Sequence, residues 1–128
     1  MPRSTINAPS APAAIGPYSQ AATGEGTLFL SGQTPIDPAT GLLIEGDVGA
    51  QTRRVFDNLN TVLQEAGGSL DDVVKVNVYL TSMSDFAAMN AVYADVFSMP
   101  FPARTTVAVA GLPLDARVEI ECVAAVPR

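Results

Sequence analysis

Between about Asp47 and Ala66 apolar residues recur at helical spacing, at Val48, Val55, Phe56, Leu59, Val62, Leu63 and Ala66. Arg53, Arg54, Asp57, Asn60, Gln64 and Glu65 fill the positions between them, so this stretch predicts an amphipathic helix lying on one face of a sheet. Asp47 supplies an N-cap, and Gly67-Gly68 a left-handed stop. The period then changes from helical to alternating. Over Val73–Thr81, Val74, Val76, Val78 and Leu80 point one way and Lys75, Asn77 and Tyr79 the other, as in a half-buried strand. Helical spacing returns from Ser84 or Asp85 to Phe97, with Phe86, Met89, Tyr93 and Val96 or Phe97 facing inward, and Pro100 and Pro102 end it. Upstream, a short strand is expected after Ile15–Gln20 and a better one at Thr27–Ser31, separated by the turn Gly24-Glu25-Gly26. A loop with Pro35, Asp37-Pro38 and Gly41 follows. Residues 1–14, interrupted by Pro2, Pro9 and Pro12, are expected to be irregular.

Phe101–Cys122 reads as a β-hairpin turning through Gly111–Asp115. In its first strand Val107 and Val109 share one face and Arg104, Thr106, Ala108 and Ala110 the other. In its second, Val118, Ile120 and Cys122 form the apolar side, opposite Arg117, Glu119 and Glu121. If both apolar sides face one core, Arg104 and Glu119 project together from the far side of the sheet. The order β-β-α-β-α-β-β then describes a single α+β domain over residues 1–128, with both helices on one sheet face.

Composition narrows what such a domain can do. An apolar fraction of 48% is high for 128 residues, which suggests that the helix-free face packs on copies of the chain and leaves clefts for small ligands between them. A net charge of −6 with no basic run argues against nucleic acid as primary partner. The absence of histidine removes the commonest general base and metal ligand, and a single cysteine excludes an internal disulfide or a Cys-rich zinc site. No run is apolar enough for a signal peptide or a membrane span, so a cytoplasmic protein is the simplest expectation.

The blocks Ile15–Gln20, Leu30-Ser31-Gly32-Gln33, Asp85–Tyr93, Phe101-Pro102-Ala103-Arg104 and Leu112-Pro113 with Val118–Glu121 resemble, in order, the motif series of the RidA (YjgF) reactive-intermediate deaminases. The resemblance covers about Ala11 to Val126. It implies a chorismate-mutase-like α+β fold, a homotrimer with sites in the clefts between subunits, and hydrolysis of 2-imino acids, derived from 2-aminoacrylate and related enamines, to 2-oxo acids and ammonia without metal or cofactor. Position by position it implies that Arg104 binds the substrate carboxylate, that Glu119 activates water, and that Tyr18, Ser31, Gly32 and Asn90 line the same cleft. Two departures bear on substrate choice: Thr106 stands where many close relatives have cysteine, and the connection Ser98-Met99-Pro100 is short.

The residue chemistry agrees with those roles without compelling them. A guanidinium matches a carboxylate with two parallel hydrogen bonds, yet by spacing alone a structural ion pair with a sheet glutamate explains Arg104 more simply. A glutamate can take a proton from water attacking an imine carbon, yet alternating acids are more often the wet side of a strand, and composition does not separate Glu119 from Glu121. Other readings are a non-catalytic trimeric module that senses small carboxylates, a catabolic deaminase of a larger, aminomuconate-type enamine and, as the family resemblance also implies, a ribonuclease or chaperone. Acidic charge and missing histidine count against the ribonuclease.

Overall fold

The helical and alternating periods form one layer of helix on one layer of sheet in the computed structural model, which describes residues 3–126. In chain order the elements are β1 (Ser4–Ile6), β2 (Ala21–Gly24), β3 (Thr27–Gln33), β4 (Ile36–Asp37), β5 (Leu42–Leu43), α1 (Val48–Glu65), β6 (Val73–Leu80), α2 (Phe86–Val96), β7 (Ala103–Ala108) and β8 (Val118–Ala125). The N-terminal segment is more regular than expected, because Ser4–Ile6 adds an edge strand antiparallel to β2. Pro2, invoked for its irregularity, lies outside the described residues. The loop after Gly32 likewise contains a two-stranded ribbon, β4 with β5.

α1 forms as its sequence dictates. The Ala50 N–H donates to Asp47 Oδ1 at 2.9 Å, and Gly67 leaves the helix at φ +86°. The buried stripe Val55, Phe56, Leu59, Val62 and Leu63 lies on β8 and β3, where Leu28, Leu30, Ile120 and Cys122 receive it. Phe56 also meets Tyr93 and Phe97 edge-on, at centroid distances of 5.9 and 5.4 Å, and so joins α1 to α2. Full burial of each such large side chain contributes about 1.5–3 kcal/mol, so this interlayer core is what holds the fold.

β6 follows the predicted alternation from Lys75 onward. A bulge between Val73 and Lys75 turns Val73 inward and leaves Val74 51% exposed, reversing its expected direction.

The C-terminal hairpin does not form. The main sheet has the order β1-β2-β3-β8-β6-β7, so β6 lies between the two strands expected to pair with each other. β6 runs parallel to β7 and antiparallel to β8. The reason is the crossover: β6, α2 and β7 make a βαβ unit, whose strands pair in parallel. The connection 109–117 then carries the chain past β6 to its other side.

This topology also reverses a facing. Arg104 is level with Val76 and Thr106 with Val78, so both share the helix side of the sheet, whereas Glu119 is level with Tyr79 on the helix-free side. Arg104 and Glu119 therefore project from opposite faces of one chain, and Val107, expected in the core, is 41% exposed. β7 is the edge strand, at the margin of the helix layer, where a polar side chain can face inward beside α2.

Candidate active site

The seven residues singled out in the sequence fall into two groups. On the helix-free side, Tyr18, Ser31, Gly32 and Glu119 line one cavity of about 490 Å³, within the size range of small-molecule sites. Glu119 is brought there by the alternation of β8, which buries its neighbours Val118 and Ile120. Gly32 lies in the β3 irregularity opposite, where the register with β8 shifts between Leu30 and Gln33. A Cβ at Gly32 would fall on the Glu119 carboxylate, so the glycine lets that carboxylate lie close over the β3 backbone. Ser31 uses its hydroxyl to donate to the Ser19 carbonyl at 2.6 Å, fixing the segment that presents Tyr18. At the mouth, Leu114 and Asp115 adopt left-handed φ values of 60° and 58°, a conformation that non-glycine residues seldom take, and Leu114 lines the cavity.

Among the described residues Glu119 forms no ion pair. Its acidity is weakened first by burial and then by the charge of Glu121, so its pKa lies above the ordinary carboxylate value. A carboxylate so placed holds a proton more readily than an exposed glutamate, a property suited to general acid–base chemistry.

Arg104, Asn90 and Thr106 form the second group, on the helix side. The Arg104 guanidinium donates to Asn90 Oδ1 at 2.7 Å and lies over the Tyr93 ring, 4.5 Å from its centroid, with Phe86 at 5.5 Å. Among the described residues it has no carboxylate partner, so the structural ion pair with a sheet glutamate is absent. Arg104 and Asn90 line a second pocket of about 410 Å³ with Tyr93, Ala94, Phe101 and Pro102. Two buried hydroxyls of this region, Tyr93 Oη and Thr106 Oγ1, lack hydrogen-bond partners among the described residues. Burial pushes the Tyr93 phenol pKa up, against the opposing influence of Arg104. An oriented guanidinium with unspent donors suits a planar anion such as a carboxylate.

Cys122 is buried on the core side of β8, and burial foremost pushes its thiol up to about 12, which agrees with its expected role as a small core residue. In the sequence Tyr93 and Phe86 read as core and Tyr79 as the polar side of a strand. The platform beneath Arg104 had a signal, aromatic residues on the turns around Asn90, but it matches the pattern of ordinary core packing. Among the described residues no group of three or more His, Cys, Asp or Glu side chains is placed to hold a metal. No helix among them is long and apolar enough to cross a membrane.

Residues 8–126 match the family model described as endoribonuclease L-PSP. A RutC family protein of Pyrococcus horikoshii is 52% identical over 90% of this chain and 91% of its own length. A 2-iminobutanoate/2-iminopropanoate deaminase of Dermatophagoides farinae is 43% identical over 95% of each chain. Among solved structures, RidA from an Antarctic Psychrobacter superimposes with a TM-score of 0.92 at 48% identity, covering 96% of this chain and 99% of its own. With the family model matched over residues 8–126, the same layered fold and nearly end-to-end coverage, the chain belongs to the RidA (YjgF/RutC) family.

Proposed function

We propose that this protein hydrolyses 2-imino acids, formed from 2-aminoacrylate-type enamines, to 2-oxo acids and ammonia. The observation that carries this reading is Glu119: a half-buried carboxylate with raised proton affinity and no basic partner among the described residues, standing over Gly32 in a cavity beside Tyr18. Arg104 supplies the complementary function as an oriented guanidinium without an acid of its own. Relatives named as 2-iminobutanoate/2-iminopropanoate deaminases, 43% and 44% identical over 95% of this chain, support the same reaction.

In the proposed reaction Arg104 holds the substrate carboxylate and Asn90 fixes the arginine. Glu119 takes a proton from water as the water oxygen bonds to the imine carbon, and the C=N π pair moves to nitrogen. Glu119 then returns that proton to the nitrogen of the tetrahedral intermediate. As the C–N bond breaks and ammonia leaves, the hydroxyl gives up its remaining proton to Glu119, which passes it to solvent, and the carbonyl of the 2-oxo acid forms. The protonated imine is itself a good electrophile, so this route needs neither a covalent nucleophile nor a cofactor. Thr106, two residues from Arg104 on the same side of β7, belongs to the substrate-binding set and influences which imine fits.

Because Arg104 and Glu119 leave one chain on opposite sheet faces, the proposal includes a homotrimer in which neighbouring subunits bring the two together. The helix-free face, with Phe29 54% exposed, is the surface proposed to pack between copies. A cytoplasmic location is part of the same proposal. The endoribonuclease description of the family is not favoured for this chain, which is acidic and lacks histidine.

The test is to generate imines from several amino acids with an amino-acid oxidase and follow their trapping by semicarbazide with and without the protein. Faster loss of the imine than in buffer, abolished in a folded Glu119→Gln variant, is expected. Background rates with every imine, or full activity in Glu119→Gln, would end the proposal.

A further inference from the structure

The helix-free face carries a polar contact that the proposed reaction leaves unused. Tyr79 Oη donates to Glu121 Oε1 at 2.6 Å, the short distance of a hydrogen bond to a charged acceptor. The register places Tyr79 level with Glu119 and Asn77 level with Glu121, so the phenol starts beside one acid and reaches diagonally to the other. Both acids line the same cavity. We propose that Tyr79 and Glu121 are positioning residues for Glu119: the phenol fixes the Glu121 carboxylate on the sheet face that carries Glu119, and that fixed negative charge governs how readily Glu119 takes the proton from water.

The surroundings support this division of labour. The hydrogen bond to Glu121, with burial adding to it, pushes the Tyr79 phenol up to about 12, so it stays protonated and able to donate across the working range of an enzyme. Glu121 is the charged neighbour that raises the proton affinity of Glu119, after burial. Among the other charged or titratable groups nearby, Arg3 lies beside Tyr18 and Ser31 at a neighbouring pocket. Lys75, on the same face of β6, donates to Thr105 at 2.9 Å, and Arg117 is paired with Asp85 at 2.9 Å. Cys122 faces the core, and β2 and β3 contribute no titratable side chain. Tyr18 lines the cavity, and Asp115 lies in the turn that carries Leu114 at its mouth.

This inference rests on the deaminase reading for its meaning, but it can be tested without it. The full chain is labelled with ¹³C at glutamate carboxyls, the Glu119 signal is identified by its loss in Glu119→Gln, and its titration is followed in wild type, Glu121→Gln, Tyr79→Phe and the double variant. The Glu119 midpoint is expected to fall by about 0.5–1 pH unit in Glu121→Gln. Tyr79→Phe, whose freed Glu121 carboxylate relaxes away from its like-charged neighbour, gives a smaller fall, and the double variant shifts no further than Glu121→Gln alone. The acidic limb of kcat/KM for imine hydrolysis moves with the midpoint. An unchanged Glu119 midpoint in Glu121→Gln, or shifts in the two single variants that simply add, would overturn the proposal. A wild-type protein that hydrolyses no imine would sink the deaminase reading instead, and the carboxyl titration would still decide whether Tyr79 and Glu121 act on Glu119.

Discussion

Arg104 shows how little of a residue's role its strand position reveals. An arginine at an alternating position is compatible with solvent, an ion pair or a ligand. What separates these is the company the side chain keeps, here the Tyr93 ring beneath the guanidinium and the Asn90 carbonyl at its edge. Replacing Arg104 with alanine is expected to raise KM for 2-imino acids by roughly 10–100-fold, the equivalent of a lost charge-assisted hydrogen-bond pair at about 1.5–3 kcal/mol. Arg104→Lys should recover little of that loss, because an ammonium neither forms the planar fork nor stacks on the ring in the same way. Steady-state kinetics of the two variants check this, and unchanged KM with a lower melting temperature would make the arginine structural. Motif context singles out Glu119 and Arg104 as candidates where strand position alone favours a solvated acid and an ion pair. No such signal singles out Tyr79 or Tyr93, because a tyrosine on a strand or in a helix stripe looks the same whether it fills space or orients a charge.

At the scale of elements, sequence pattern specified existence and type well and partnership poorly. α1 came with its stripe and both its end signals, and β8 with the side that buries Val118, Ile120 and Cys122. β7 and β8 are neighbours in sequence but not in space, since β6 lies between them. The connection 109–117 is longer than the roughly two to five residues of a hairpin loop, and the strand-helix-strand order of β6, α2 and β7 already favoured a parallel pair. The face of β7 then followed wrongly, since an edge strand beyond the helix layer need not turn its valines inward. A second element-level feature was invisible in the pattern. Asn58, fully buried in α1, donates to the Ile36 carbonyl at 2.9 Å and receives the Arg54 Nε–H at 3.1 Å, so the helix anchors the segment after β3 that lines the Glu119 cavity. Asn58→Ala leaves the Ile36 carbonyl without its donor and is expected to cost about 1–3 kcal/mol in urea unfolding. It should also raise KM, whereas Asp47→Ala, the loss of an exposed cap, costs about 1 kcal/mol and leaves KM alone. Equal kinetic effects from the two variants would mean that Asn58 supports α1 but not the cavity wall.

For the molecule as a whole, the placement of Arg104 and Glu119 on opposite faces turns a question of fold into one of assembly. If one chain supplied both groups to one site, its sheet would stand between them; if neighbours in a ring supply one each, every subunit uses both of its faces. The two arrangements differ in a way that needs no view of the assembly. Arg104→Ala and Glu119→Gln each remove one half of the site, so at substrate concentrations well below the wild-type KM the first is expected to keep at most about a tenth of wild-type activity, through its raised KM, and the second almost none. When the two variants are unfolded together, refolded as an equal mixture and allowed to assemble at random, a site between subunits is intact whenever an arginine-bearing chain meets a glutamate-bearing one in the right order. That happens at about a quarter of the interfaces, so the mixture should recover about a quarter of wild-type deamination per site. Sites contained within single chains would recover nothing, because every chain in the mixture lacks one of the two groups. Refolding each variant alone under the same conditions supplies the baseline, and sedimentation of the mixture shows whether trimers have formed. Trimers without recovered activity would place both groups in one chain's site and remove the assembly argument, while recovery near a quarter would assign Arg104 and Glu119 of each site to different subunits.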